Sequence, residues 1–407
     1  MKTFTSRVIY MSVLCFALSC SKKDGVINQS SSGNNQPVKT TDSVTVAVDS
    51  VISVTATTAS VYCKVIGKAG SANAERGLCW SLAANPTITD STVKASLVQG
   101  NGGFLVNMLG LKHGSTYHVR GYVTNGGSVS YSKDIAFKTM MMPAPTVVTG
   151  TDLLAGATAV FVTGKITSAD QIKESGMLIS ENLQPAVSDI KVTGDKADKS
   201  LFIRINDLKP NTTYYVRAFA TNEMDVTGYG EVVKLTTIPK GNLTYYLNED
   251  PNASPTVKEN YTRIRAALDK AVYYYNNYTS IEKKLNVYYN PGIPTAEGSL
   301  SGYIGVGANV SYQRTGTILH EIAHTLGVGQ HWMWWDVLIR NGVYQGKNGN
   351  AALKFLTRDP NAEIHGDGQH FWPFGVNGAF EDSGDEMLYI INVMLLQAMK
   401  EDGLPIN

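Results

Sequence analysis

The N-terminal half of the chain consists of short runs in which apolar and polar residues alternate. Residues 60–65 (SVYCKV) and 159–163 (AVFVT) are clear cases, and glycine, asparagine and proline separate such runs. A period of two residues puts successive side chains on opposite faces of a strand, so that one face can be buried. The pattern predicts short β-strands joined by turns.

Helical periods begin after residue 240. Residues 261–275 (YTRIRAALDKAVYYY) place Ile264, Leu268 and Val272 on one face of a helix. The same reading gives three helices and three strands: helices over 261–275, 317–326 and 388–400, and strands over 243–247, 284–289 and 303–307. This part therefore predicts an α+β domain over 240–407, with enough residues to bury one core.

The strand-rich half of the chain contains an internal repeat. Residues 111–125 (LKHGSTYHVRGYVTN) match residues 208–222 (LKPNTTYYVRAFATN), and residues 77–90 match residues 176–189 at a nearly constant offset. A repeat of this length with strands at this density predicts two all-β sandwiches, over 43–141 and 142–239.

The repeated segment Thr-Tyr-x-Val-Arg resembles the fibronectin type III-like modules of bacterial surface proteins. That resemblance implies that the two tyrosines, Tyr117 and Tyr214, each pack near a strand corner. The fold class expected for the whole chain is thus multidomain, with two fibronectin III-like sandwiches before the α+β domain.

The first 20 residues have the features of a targeting segment. Lys2 and Arg7 precede an apolar stretch over residues 8–19 that is too short to span a bilayer, and Cys20 follows it. This arrangement resembles a lipoprotein signal peptide of the Bacteroides type. The resemblance implies lipidation of Cys20, a flexible tether over 21–42 and a place on the outer-membrane surface. Plain secretion is the alternative.

The net charge and the cysteines bear on the binding partners and on possible disulfides. The net charge is +1, so no global basic field would recruit nucleic acid, and any membrane contact is expected through the lipid anchor alone. Cys63 and Cys79 lie in predicted strands of one sandwich and are either a disulfide or two buried thiols. The sequence leaves the oligomeric state open.

The residue pattern with the clearest chemistry is His320-Glu321-Ile322-Ala323-His324. On a helix the two histidines lie one turn apart, with ~6 Å of rise, so both imidazoles can bind one zinc ion. Glu321 can then accept a proton from the water that attacks a carbonyl group. We predict one catalytic zinc, with His320 and His324 as ligands and Glu321 as the catalytic base.

This stretch resembles the metzincin group of zinc peptidases, whose pattern is HExxHxxGxxH. Gly327 occupies the glycine position, which implies a left-handed turn out of the helix. Gln330 stands where the third histidine is expected, and an amide is a poor zinc ligand beside imidazole. We therefore predict His331 as the third ligand, with Gly329 absorbing the extra residue.

Several alternatives stay open around this site. His365 and His370 are alternative ligands or substrate-binding residues, and Met387 is a possible counterpart of the metzincin Met-turn. The strand over 303–307 is either the edge strand that pairs with substrate or an interior strand. The other residues flanking the site are carboxylates that could replace a histidine ligand and aromatic residues that form either a pocket or a core: Glu363, Asp367, Glu381, Asp382, Trp332, Trp334, Trp335, Phe371 and Trp372.

Together these features predict a cell-surface zinc metalloendopeptidase that hydrolyses extracellular proteins or glycoproteins. The alternative class is a surface adhesin or glycan-binding lipoprotein whose zinc domain is degenerate or structural. A zinc amidase acting on cell-wall peptides is a third possibility, because the HExxH pattern alone does not define the substrate.

Overall fold

The structure is a computed structural model that describes residues 44–67, 75–95, 102–125, 127–168, 171–195 and 197–405. The predicted signal peptide, the lipidation site Cys20 and the tether over 21–42 lie outside these residues. Within the described part of the chain, no helix is both long and apolar enough to cross a membrane.

Two compact units make up the chain. The first contains Ser60–Met108 and Tyr117–Phe137 together with the segment ending at Ser53. The second contains everything from Lys138 onward, with the short segments Val54–Ala59 and Leu109–Thr116. The second sandwich therefore belongs to the same unit as the C-terminal part.

The first unit is a β-sandwich. Its strands are β1 (Thr45–Val54), β2 (Ala59–Ile66), β3 (Arg76–Ser81), β4 (Ser91–Lys94), β5 (Gly103–Met108), β6 (Thr116–Asn125), β7 (Ser128–Tyr131) and β8 (Ile135–Lys138). One sheet has the order β1-β2-β5, and the other has the order β4-β3-β6-β7 with β8 paired to β6. Cys63 and Cys79 are free and buried, so the two-thiol alternative holds.

The second sandwich repeats this strand order. Its strands are β9 (Val147–Ala155), β10 (Val160–Ile166), β11 (Ile172–Ser180), β12 (Ile190–Thr193), β13 (Ser200–Ile205), β14 (Thr213–Asn222), β15 (Thr227–Tyr229) and β16 (Val233–Thr236). The sheets are β9-β10-β13 and β12-β11-β14-β15, with β16 paired to β14. Tyr214 Oη accepts a hydrogen bond of 3.0 Å from the Lys209 N–H, which is the strand-corner contact expected for this tyrosine.

The C-terminal part combines a four-stranded sheet with helices. Its main elements are β17 (Asn242–Asn248), α1 (Pro255–Tyr278), β18 (Glu282–Tyr289), β19 (Ala296–Gly298), β20 (Tyr303–Val306), α2 (Thr315–Thr325), α3 (Lys347–Thr357), α4 (Gly378–Glu381) and α5 (Glu386–Glu401). Strands β17, β18 and β20 are parallel, and β19 pairs antiparallel with β20 at the edge. The strand predicted over 303–307 is therefore interior, and the edge strand is β19.

Short elements fill the chain between the longer helices. They are a 3-10 turn (Val310–Tyr312), a π-helical turn (Trp334–Leu338) and the strands β21 (Ile339–Arg340), β22 (Val343–Tyr344), β23 (His365–Gly366) and β24 (Phe371–Trp372). These four strands form a second small sheet in chain order. This sheet carries the chain from the end of α2 towards α5.

Helix α1 illustrates how local sequence sets these elements. The Ser254 side chain accepts a hydrogen bond from the Val257 N–H and caps the helix, and Pro255 occupies the first turn, where a missing N–H costs nothing. The helix buries Ile264, Leu268 and Ala271 against the sheet. The predicted apolar face is confirmed, and the helix extends beyond the predicted ends.

One hydrophobic core joins the second sandwich to the C-terminal part. Ala159, just before β10, and Phe161 on β10 belong to the same buried cluster as the sheet, α1, α2 and α5. Phe202 of β13 packs against Phe355 of α3, with ring centroids 5.4 Å apart. Arg204 forms an ion pair of 2.8 Å with Glu386 at the start of α5. The helices around the candidate site thus rest on this sandwich.

Candidate metal centre

Two histidines on α2 have their rings fixed by main-chain carbonyl groups. His320 Nδ1 lies 2.6 Å from the Gly375 carbonyl oxygen, and His324 Nδ1 lies 2.9 Å from the Val328 carbonyl oxygen. A carbonyl oxygen only accepts hydrogen bonds, so each Nδ1 carries the ring proton and donates it. Nε2 of each ring then bears the lone pair that a metal ion binds.

The end of α2 creates one of these contacts. Gly327 has a φ of 111°, a backbone conformation that favours glycine, and it turns the chain back at the end of the helix. The carbonyl group of Val328 thereby reaches His324 Nδ1. The turn that the family resemblance implied at Gly327 is confirmed.

The start of α2 is held by a buried carboxylate. Asp382 accepts hydrogen bonds from the Gly316 N–H (2.9 Å) and from the Tyr389 hydroxyl group (2.5 Å). Burial alone would raise the pKa of Asp382, but these donors and Arg314 hold it below its usual value. The ionised carboxylate complements the positive end of the helix dipole, so Asp382 supports the helix and is not drawn into the histidine group.

The third histidine beside this pair is His370. A ligand nitrogen of His370 and those of His320 and His324 all lie within 4.8 Å of one another. The ring centroid of His370 is 5.1 Å from that of His320 and 5.5 Å from that of His324. Among the described residues, these three form the only group of this kind, and it contains His370, the alternative candidate, and not His331.

His331 has other contacts. Its Nδ1 accepts a hydrogen bond of 3.1 Å from the Met333 N–H, and its ring lies 5.6 Å from the Trp332 ring. Gly329 has a φ of 63°, and a Cβ atom added there would lie 2.4 Å from the Gln369 carbonyl oxygen. Gly329 therefore does not shift His331 into the site. Instead it leaves room for the loop that carries His370.

That loop is fixed by three neighbours. Asp367 Oδ1 accepts hydrogen bonds of 2.7 Å from the N–H groups of Gln369 and His370. The indole N–H of Trp334 donates to the Asp367 carbonyl oxygen (2.9 Å), and that of Trp335 donates to the Gly368 carbonyl oxygen (2.6 Å). The Asp-x-x-His spacing of Asp367 and His370 is the sequence signal for this turn, because the carboxylate accepts a hydrogen bond from the histidine N–H.

Glu321 is buried beside the histidines and below the edge strand. Burial raises its pKa to about 8, and the negative charge of Glu297 on β19 acts in the same direction. A Cβ atom added at Gly298 would lie 2.3 Å from the Glu321 carbonyl oxygen. Only glycine lets β19 approach the helix this closely, so the strand and the carboxylate are fixed relative to each other.

The two helical histidines are held in the neutral form. Burial, together with the neighbouring His324, lowers the pKa of His320 to about 4. Burial also lowers the pKa of His324. Neutral imidazole with a free Nε2 is the form that coordinates a metal ion, and three imidazoles suit zinc. The residues present therefore fit this ion.

Two other predicted residues lie elsewhere. His365, on β23, stacks against Trp372 with an interplanar angle of 17°. Met387 is in the first turn of α5, and its sulfur lies 3.9 Å from Arg204 Nη1 of the second sandwich. The backbone that contacts His320 belongs to Gly375 and not to the Met387 turn.

A cavity of about 480 Å³ opens beside His320 and His370. Most of its other lining residues are aromatic or aliphatic: Phe371, Trp372, Pro373, Phe374, Val376 and Leu388. Three polar residues, Asp367, Asn377 and Glu381, also line it. A cavity of this size can enclose a side chain of a bound ligand next to His320 and His370.

No family model matches the sequence, and no curated protein matches it. Among solved structures, the chain is similar to the FN1-FN3 domains of chicken CNTN1, with 14% identity and a TM-score of 0.22 over 48% of this chain and 68% of that chain. It is also similar to the fn3 domain of human contactin 1 (14% identity, TM-score 0.21, 28% and 85% covered) and to a two-domain fibronectin type III segment of chicken tenascin (13%, 0.22, 46% and 96%).

These solved structures are fibronectin type III domains, the kind of module that the repeated segment predicted for the two sandwiches. At such TM-scores the sandwich assignment rests on the strand order of each copy. The C-terminal site rests on its own geometry.

Proposed function

We propose that the C-terminal part is a zinc-dependent peptidase, with His320, His324 and His370 as zinc ligands and Glu321 as the catalytic base. The observation that carries this proposal is the convergence of three imidazoles, two of them from α2, beside the buried carboxylate that α2 also carries. A purely structural zinc site usually has four protein ligands and needs no base. Three histidines leave a fourth position for water or substrate.

Zinc bound by these residues would polarise a carbonyl group and lower the pKa of a bound water molecule. Glu321, held against the edge strand, accepts the proton of the attacking water and returns it to the leaving amine. Its burial keeps the carboxylate poorly solvated, which strengthens its affinity for that proton. The carbonyl groups of Gly375 and Val328 keep the rings of His320 and His324 in the tautomer that leaves Nε2 free.

The edge strand favours a peptide substrate. Strand β19 ends the sheet, runs antiparallel to β20 and packs directly on the backbone of Glu321. An extended peptide can add to such an edge through main-chain hydrogen bonds, which tolerate many sequences. This arrangement would bring a scissile bond next to the catalytic base.

The proposed relationship is to the zincins in general, because the third ligand departs from the metzincin pattern. In HExxHxxGxxH the third histidine follows the glycine turn directly. Here we assign that role to His370, which comes from a separate loop. The localisation proposed with this activity is the outer-membrane surface, through lipidation of Cys20, where extracellular proteins or glycoproteins would be the substrates.

One set of variants tests the proposal. Glu321→Ala should keep zinc at one equivalent, measured by elemental analysis, and lower the hydrolysis of casein or mucin by at least about 10²-fold. His370→Ala should lose zinc and activity together, and the matched His331→Ala should keep both. Undiminished proteolysis by Glu321→Ala would overturn the mechanism.

The same assay separates the other classes. Zinc bound without hydrolysis of any peptide would favour the surface-binding alternative. Hydrolysis restricted to cell-wall peptides would favour the amidase alternative. Zinc retained by His370→Ala and lost by His331→Ala would restore the sequence-based ligand set.

A further inference from the structure

A second hollow adjoins the cavity beside the histidines. It has a volume of about 480 Å³ and is lined by Trp335, Ile339, Gly342, Gly366, Asp367, Gly368 and Trp372. Asp367 and Trp372 line both hollows. The second cavity, which we call the aromatic hollow, is therefore a direct neighbour of the first.

The two indole rings of the aromatic hollow are exposed, which is uncommon for tryptophan. Trp335 is 44% exposed and Trp372 is 48% exposed, whereas Trp334, next to Trp335 in the sequence, is completely buried. Trp334 packs against Tyr344 and Phe371 and so supplies the core contact. The exposure of Trp335 and Trp372 is thus not explained by core packing.

Both exposed rings are held in place. The indole N–H of Trp335 donates to the Gly368 carbonyl oxygen at 2.6 Å, so its polar atom is already satisfied and the carbon face remains. Trp372 stacks on His365 at 17°. Two fixed, flat apolar surfaces border one shallow space, and a ligand would need little ordering of the protein to use them.

The floor of the aromatic hollow carries few side chains. A Cβ atom added at Gly368 would meet no atom within 4 Å, and at Gly342 the nearest atom would be 3.9 Å away. A side chain at Gly368 would therefore meet no steric clash, whereas Gly342 has a φ of 78°, a backbone conformation that favours glycine. The Asp367 side chain, 55% exposed, adds a carboxylate at the border with the histidine cavity. The hollow combines flat apolar walls with open backbone and one acidic group.

We propose that the aromatic hollow binds a sugar ring of a glycan carried by the substrate, next to the peptide bond that is cleaved. A pyranose ring has a flat face of C–H groups that can lie on an indole, and hydroxyl groups around its edge that can bond to a carboxylate or to backbone. An aromatic peptide side chain would use the walls and leave the polar border without a partner. This inference rests on the proposed function, because it names the substrate class of the same cleft.

The test measures binding without cleavage. The full-length Glu321→Ala variant loaded with zinc is titrated with peptides carrying N-acetylgalactosamine, N-acetylglucosamine or mannose on one threonine, and with the unmodified peptide. We expect at least one glycopeptide to bind about tenfold more tightly than the unmodified peptide, about 1.4 kcal/mol. Trp372→Ala should remove this difference between glycopeptide and unmodified peptide; because Trp372 also lines the histidine cavity, the measured quantity is the ratio of the two affinities within this variant.

Two further variants control for indirect effects. Trp332→Ala removes an indole that is also exposed, at 55%, but does not line the hollow, and it should keep the glycopeptide preference. Trp335→Phe keeps an aromatic face but loses the hydrogen bond to Gly368, and it should keep most of the preference. Zinc content is measured for each variant, so that a displaced His370 loop is recognised.

Equal affinity for all glycopeptides and the unmodified peptide would overturn the inference, as would a preference that survives Trp372→Ala. Tighter binding of a phenylalanine-containing peptide through Trp372, without any sugar preference, would assign the hollow to an apolar side chain and also overturn it. Hydrolysis of casein by the wild-type protein without sugar preference would leave the proposed function intact. Sugar binding through Trp372 without any hydrolysis would overturn the proposed function and would leave the hollow as a sugar-binding site, not a substrate subsite.

Discussion

The two β-sandwiches share a strand order but use their outer faces differently. The third residue of β5 in the first sandwich is Leu105, which is 52% exposed. The third residue of β13 in the second is Phe202, which packs against Phe355 of the C-terminal part. Likewise Phe161 on β10 is buried in the C-terminal core, and it aligns in the repeat with the half-buried Tyr62 on β2.

This difference shows that the inward and the outward residues of the repeated strands have separate roles. The inward residues, such as Val61 and Cys63 in one copy and Val160 and Val162 in the other, fill the space between the sheets and define the sandwich. A few outward residues decide whether a sandwich stands as a compact unit or becomes the support of its neighbour. The second sandwich is thus part of the proposed enzyme, and we expect the first to be dispensable for it.

Removing each sandwich is the strongest way to test this comparison. A fragment of residues 142–407 should unfold cooperatively and keep zinc and activity. A fragment of residues 240–407 exposes the core surface that Ala159 and Phe161 cover, so it should fail to show a cooperative thermal transition by calorimetry. A stable, active 240–407 fragment would contradict the shared core.

A single substitution probes the same interface. Phe161→Ala removes a fully buried ring from the C-terminal core and should lower the stability of that unit by ~3–5 kcal/mol. The aligned Tyr62→Ala should affect only the unit that contains the first sandwich. Calorimetry of the full chain can follow the two transitions, and an equal shift of both by either variant would argue against separate units.

Metal removal should act on one unit only. If zinc binds the folded site and its concentration is about 1,000 times its dissociation constant, chelation costs that unit ~4 kcal/mol. We therefore expect a chelator to lower the Tm of the unit with the C-terminal part and to leave that of the first sandwich unchanged. His370→Ala should abolish the response, and a chelator effect on the first sandwich would contradict the assignment.

Of the contacts between the second sandwich and the C-terminal part, the ion pair between Arg204 and Glu386 should contribute least to stability. Their side chains are 24% and 49% exposed, so solvent and salt screen the attraction. We expect Arg204→Ala to change stability through this pair by only ~0.2–1 kcal/mol, measured in a double-mutant cycle with Glu386→Ala. A coupling energy several times larger would mean that the pair, rather than the apolar contacts, joins the two parts.

The strands, the repeat and the long helices can be predicted from short stretches of sequence. The period of two predicted the strands, the repeat predicted two similar sandwiches, and the helices over 261–275, 317–326 and 388–400 were placed correctly apart from their ends. Each of these features depends on neighbours within a few residues, because strand alternation and helical faces are properties of backbone geometry. Local sequence does not decide whether Cys63 and Cys79 form a disulfide or whether β20 is an interior strand. Both features depend on which strands pair.

The sequence by itself determined the pair of histidines and the glutamate on one helix turn, because the spacing of His320, Glu321 and His324 fixes their relative positions as soon as the helix forms. Tertiary structure alone decided the third histidine. His370 approaches because Gly329 leaves room for Gln369 and because Trp334 and Trp335 hold the loop. It also decided which sandwich supports the site. Both outcomes arise from contacts between residues far apart in the chain, and such contacts have no fixed spacing that a single sequence can display.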